Sequence, residues 1–374
     1  MKFRLLLFFF LITSFVRATD VKVGIGLHDD SCTFISAFSS YSVYDEHQSL
    51  IASLTEGSIV SIIQSSTNFK LLVNGQVLFT GKKINFKSAH LSAFFRVKIG
   101  NGTYFPYDDQ LIVKENADGK SFTLINLVNS EKYIAGVIES EAGENTSPEF
   151  LKVQAVIART FVFSHLDRHE KQGFSVCATV HCQVYHARSR FNDQIQKAAL
   201  ATEGLVLVDK SGKILTVAYH SNCGGQTVCA SEVWTKKLSY LQSVSDSFCS
   251  RSGHALWEKT IERSEWNKYL WRKIKCPVEA GLPDSLYTFS QSSRKNSFVF
   301  EGNELALKDI RSDWKLNSTF FSIEPLNNQI IFKGRGYGHG VGLCQEGAMQ
   351  MAAEGIKMEE ILSFYFIGSV LKRR

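Results

Sequence analysis

The 374-residue sequence predicts an α+β fold with a β-rich N-terminal domain. Three observations predict it. Apolar residues alternate in short runs up to about residue 130. A stretch near residues 150–166 is apolar on nearly every helical face. A glycine-rich strand-to-helix turn lies close to the C-terminus.

The first segment is not part of that fold. Lys2 and Arg4 precede a short apolar run at 5–12, and Val16-Arg17-Ala18 offers small residues for cleavage after Ala18, as in a signal peptide spanning 1–18. A retained N-terminal anchor is the alternative, but the run is too short to span a bilayer comfortably. No later stretch has the roughly 18 uninterrupted apolar residues of a spanning helix, so no stable membrane insertion is expected after cleavage. Losing Lys2, Arg4 and Arg17 leaves 39 basic and 36 acidic residues, a formal charge of only +3. So small an excess excludes nucleic acid as the expected partner. Five prolines and no low-complexity tract argue against long disordered linkers. Roughly 356 mature residues suggest about two domains.

The expected domains are 19–125, β-rich, and 126–374, which holds every candidate site. In the first, Val21 to Ile25 and Phe95 to Ile99 alternate, and Asn74-Gly75 between two apolar runs predicts a hairpin. In the second, the acidic patch Glu139, Glu141 and Glu144 precedes a helix. Thr146 or Ser147 is its expected cap, Pro148 suits its first turn, and Glu149 completes a capping box with Thr146. Such an apolar helix is buried. Its Gln154 and Arg159 then need partners, a carboxylate in the case of Arg159. A helix follows at 193–202, then a hairpin pairing 205–208 with 214–219 around Asp209-Lys210-Ser211-Gly212. His220 stands at the end of that hairpin. A strand at 329–333 leads into alternating glycines from Gly334 to Gly342, and a helix at 345–353 follows. The C-terminal Lys372-Arg373-Arg374 reads as a solvated tail.

Several sites compete for the chemistry. A carboxyl held against an apolar helix is desolvated, which raises its pKa toward general-acid duty. The glycine run lacks the spacing of a dinucleotide loop or a P-loop. It reads either as a turn where a ligand, favourably an anionic one, approaches the backbone, or as a tight packing turn. The eight cysteines are at 32, 177, 182, 223, 229, 249, 276 and 344. Cys177, His181 and Cys182 fit three zinc ligands with one position open. Export favours disulfides instead, and spacing does not choose. Neither an H-E-x-x-H helix nor a G-x-S-x-G elbow is present.

Four blocks occur in order: Tyr133 to Glu141 with Leu151 to Thr160; His181-Cys182-Gln183-Val184-Tyr185; Tyr219-His220-Ser221 through Gly224-Gly225-Gln226-Thr227; and Gly338-His339-Gly340-Val341-Gly342 with Gln345. Together they resemble the SpoIID/LytB (stage II sporulation protein D) family, from about Phe95 to the end. The resemblance implies mixed sheets and a few helices around a central substrate cleft. It also implies a lytic transglycosylase acting in the periplasm or wall on peptidoglycan glycan strands stripped of stem peptides. Glu141 would be the acid. It would protonate the glycosidic oxygen and then take a proton from the muramic 6-hydroxyl, leaving an anhydro-muramic end. Arg159, His220 and His339 would position the sugar or tune Glu141. Gln154, Tyr185, Ser221, Gly225, Thr227, Tyr337, Gly338, Gly340 and Gln345 would contact substrate. Cys177, His181 and Cys182 would hold a structural zinc, and no organic cofactor is implied. The alternative is a non-catalytic glycan-binding activator of a cell-wall amidase. A zinc amidase or protease is disfavoured, since no helix carries paired histidine ligands. The chain departs from the family pattern at Glu139, Ala142, Gly143 and Cys344. Glu139 would either raise the Glu141 pKa through like charge or share its role.

Overall fold

The computed structural model describes residues 19–143, 146–189, 193–234, 237–275 and 282–374. The segment 1–18 expected to be a signal peptide, Glu144 and Cys276 lie outside them. The described chain is α+β, as expected.

Two sheets dominate the N-terminal part, one of seven strands and one of six. Strands with alternating burial, such as Ser31–Phe38, turn their apolar side inward. There Phe34 stacks on Phe86 of the facing sheet, ring centroids 4.3 Å apart. The Asn74-Gly75 turn forms as predicted, with both residues at positive φ (50° and 80°).

Residue 125 lies inside the strand Phe122–Asn129, which runs directly into helix α1 (Ser130–Ala142). Asn129 caps α1 by accepting from the N–H groups of Glu131 and Lys132. One continuous hydrophobic core joins the two sheets to α1 and to α2 (Pro148–Ser164). The strand Asp20–Asp29 adds a second tie. It pairs antiparallel with Phe122–Asn129 and parallel with Val176–Cys177. The two expected regions therefore meet through a shared core rather than a linker.

Helix α2 is buried on nearly all faces, as its sequence requires. Its cap is Ser147, which accepts from Phe150 N–H. The capping box with Thr146 does not form. Glu149 binds Lys152 Nζ (2.8 Å) and Met358 N–H (3.0 Å) instead. Helix α3 (Asp193–Ala201) packs across α1 and α2. The hairpin around Asp209 keeps its turn, with Gly212 N–H donating to Asp209 O at 2.9 Å. Its second arm is not a strand. Leu205–Val208 meets it only through the Val208–Ile214 bridge and pairs along its length with Val370–Arg373, so the basic tail is a strand whose Lys372, Arg373 and Arg374 are exposed to solvent, as expected.

A second core was not foreseen. The described residues of 256–335 form a lobe around Trp266, Phe298, Phe321 and Phe332. Its three-stranded sheet is Leu256–Glu262, Gln329–Arg335 and Phe321–Leu326, in the order that places Gln329–Arg335 at the centre. That central strand continues straight into the glycine run. No described helix is long and apolar enough to cross a membrane.

Candidate functional site

A cleft of about 580 Å³ opens between the end of α1, the residues 216–221 and the glycine run. Glu141, in the last turn of α1, is the only carboxylate among the described residues lining it. Its Oε1 accepts from Val184 N–H (2.9 Å) and from the Tyr219 hydroxyl (3.1 Å). Both bonds fall on one oxygen, which leaves Oε2 as the place for a proton. Burial raises the Glu141 pKa, while the Val184 N–H, the Tyr219 hydroxyl and nearby His186 pull it back. The like-charge effect expected from Glu139 is not among the causes. Glu139 accepts from Ser189 Oγ at 2.7 Å and does not line the cleft.

Two histidines face Glu141 across the cleft. Tyr219–His220 is a two-residue strand paired in parallel with Leu343–Cys344. His220 is buried, and its Nδ1 donates to Val341 O at 3.1 Å. That bond fixes the tautomer with an unprotonated Nε2, which is buried and has no partner among the described residues. Burial, then the His339 and Arg294 charges, push the His220 pKa well down. His339 accepts from Val341 N–H through Nδ1 at 3.0 Å. Its pKa is lowered to about 4, chiefly by burial. Both rings are therefore neutral at pH 7, and their centroids are 5.5 Å apart.

The glycine run is the tight packing turn. Gly336, Gly338, Gly340 and Gly342 all have positive φ. A Cβ on Gly338 would sit 2.8 Å from His220 Cβ, and one on Gly342 would sit 2.2 Å from Ala218 O. The absent side chains admit neighbouring protein backbone and the side chains of His220, Val228 and Arg294.

Of the residues expected to contact substrate, Ser221, Tyr337, Gly338 and Gln345 also line the cleft, with Phe161 and Trp234 forming apolar wall. Other expected residues do not line it. Arg159 is fully buried between helices, where Nε bonds Glu131 at 2.9 Å and the guanidinium also reaches Leu205 O and Ala199 O. It found the predicted carboxylate, but away from the cleft. Tyr185 is buried with its hydroxyl on Asn126 Oδ1 (3.1 Å). Thr227 bonds Val244 N–H and Gln242 O in a loop. Gly225 accepts from Asp246 N–H, and Gly340 is packed against Val228 and Arg294. Gln154 is buried behind the lining and meets Gln345 at 3.4 Å.

Cys177, His181 and Cys182 do come together, with His169 as a fourth member. His181 Nδ1 is 3.6 Å from each sulfur, and His169 Nε2 is 3.4 Å from Cys182 Sγ. All four donor atoms lie within 4.8 Å of one another. Two sulfurs and two imidazoles are a donor set that fits tetrahedral zinc. His169 precedes Cys177 by eight residues, and that spacing was the signal available in the sequence. The loop that carries these ligands also delivers Val184 N–H to Glu141.

Comparison with known proteins places this fold and cleft in a family. A family model described as Stage II sporulation protein matches residues 118–208. Stage II sporulation protein D of Bacillus subtilis (strain 168) is 30% identical over 254 residues, covering 64% of this chain and 73% of that protein. An uncharacterized protein of Brachyspira hyodysenteriae is 30% identical over 275 residues, covering 72% of this chain and 70% of its own length. A protein named Amidase enhancer from Bacillus subtilis is 25% identical over 292 residues, covering 64% of this chain and 40% of that one. The chain belongs to the stage II sporulation protein D family.

Proposed function

We propose that the protein is an exported lytic transglycosylase that cleaves peptidoglycan glycan strands stripped of stem peptides. The observation that carries this is that Glu141 is the single carboxylate among the described residues lining the cleft. Hydrolysis by two carboxylates needs a second placed Asp or Glu to serve water or form a covalent intermediate. Intramolecular attack needs one. Protonated Glu141 gives its proton to the glycosidic oxygen as the bond to the anomeric carbon breaks. The carboxylate then takes the proton of the muramic 6-hydroxyl as that oxygen bonds the same carbon, and an anhydro-muramic end results. Burial favours the protonated form at the start. The unprotonated Nε2 of His220 accepts a sugar hydroxyl, and Trp234 offers a ring face to the apolar side of a sugar. His169, Cys177, His181 and Cys182 hold a structural zinc that fixes the loop carrying Val184.

A digest of peptide-stripped glycan strands tests the proposal. Wild type releases anhydro-muramic products, and Glu141→Gln lowers that rate by about 10²–10⁴-fold. Full activity in Glu141→Gln together with a dead Glu139→Gln would move the acid to Glu139. A second reading rests on the relative named Amidase enhancer. Wild-type protein that binds the strands without cleaving them supports a glycan-binding activator of a wall amidase in place of an enzyme.

A further inference from the structure

Behind the cleft wall, four buried side chains from three segments converge: Cys223, Asp246, Cys249 and Cys344. Their sulfur and carboxylate atoms all lie within 4.8 Å of one another. Cys223 Sγ is 3.4 Å from Cys249 Sγ and 3.2 Å from Asp246 Oδ2. A tetrahedral zinc with three sulfurs and one oxygen has donor-to-donor edges of roughly 3.5–3.8 Å, so a small outward movement admits the ion.

The surroundings fit anionic donors held in place. Cys344 Sγ accepts the N–H groups of Cys223 (3.2 Å) and Gly347 (3.4 Å), the latter in the first turn of the Gln345–Ala353 helix. Asp246 Oδ1 accepts Phe248 N–H (3.0 Å), and Oδ2 accepts the Tyr365 hydroxyl (2.8 Å). Such outer contacts orient metal ligands. A disulfide would consume two of the three thiols and leave the third thiol and the buried carboxylate outside the linkage. A divalent ion uses all four groups. The guanidinium of Arg294, whose Nη2 donates to Cys223 O at 2.6 Å, offsets part of the remaining negative charge.

We propose that Cys223, Asp246, Cys249 and Cys344 form a second zinc-type metal site, distinct from the His169 cluster. Cys223 lies three residues after His220, and Cys344 pairs in register with His220 and precedes Gln345. The ion clamps together the segments that carry these cleft residues. The site does not depend on the transglycosylase reading.

The test is zinc stoichiometry of the full chain, purified without chelator and measured by native mass spectrometry and elemental analysis. Wild type carries two zinc ions. Cys249→Ser and Cys344→Ser each carry one, and so does Cys182→Ser, which disables the other cluster. A measurement on wild type alone guards against misfolded variants: Cys223, Cys249 and Cys344 become alkylated only after a strong chelator is added. Retention of two ions in well-folded Cys249→Ser and Cys344→Ser would overturn the proposal. So would a Cys223–Cys249 linkage in non-reducing peptide maps, or ready alkylation of all three thiols without chelator.

Discussion

Glu141 sits between opposing influences: burial holds its proton on, and two donors to Oε1 favour its release. Removing one donor has a definite sign. Tyr219→Phe deletes a hydrogen bond to the charged form, so the pKa rises further and the general acid stays protonated to higher pH. The alkaline limb of kcat/KM against pH is expected to move upward in Tyr219→Phe, and a downward move would contradict the proposed role. The acidic patch was legible in the sequence as a source of an acid, but three carboxylates competed there. Only the resemblance singled out Glu141. The fold gives a physical reason: helical positions two apart point to opposite sides, so Glu139 meets Ser189 while Glu141 enters the cleft. His169 was missed because its nearness to Cys182 comes from a loop folding back, which no periodicity records.

At the scale of elements, α2 was legible almost to the residue, since an all-round apolar pattern and a Ser-Pro start leave few alternatives. What its polar residues do was less so. Arg159 was placed by resemblance among the sugar-positioning groups, yet it locks α2 to Glu131 on α1. Removing one partner of a buried pair leaves an uncompensated charge, so Glu131→Gln is expected to cost about 3–5 kcal/mol in chemical denaturation. Turnover per folded molecule should stay near wild type. A large loss of turnover at unchanged stability would return Arg159 to the catalytic machinery. The glycine run shows the same limit. Its position between strand and helix followed from sequence, but whether ligand or protein fills the space above each Cα depends on Ala218 and His220, some 120 residues earlier.

On the scale of the whole molecule, the lobe at 256–335 has its own core and was nearly invisible beforehand. Its strands are short, and Trp266, Phe298 and Phe332 are spread over segments whose pairing only the tertiary fold creates. A separate core implies a separate unit of local stability. Trp266→Ala removes a fully buried side chain and should cost the lobe about 3–5 kcal/mol. Hydrogen exchange is expected to accelerate across 256–335 while amides of α1 and α2 keep their protection. Uniform acceleration throughout the chain would show instead that the lobe and the main core unfold together.

The parallel pairing of Tyr219–His220 with Leu343–Cys344 joins segments far apart in the chain. Glu141 comes first, His220 later, and His339 and Gln345 arrive close to the end. A polypeptide emerging from the ribosome can build both N-terminal sheets and bury α1 while its cleft still lacks one wall. The cleft is thus completed last, by the same C-terminal segment whose Leu343, Ala348, Ile361 and Tyr365 also complete the main core around α2.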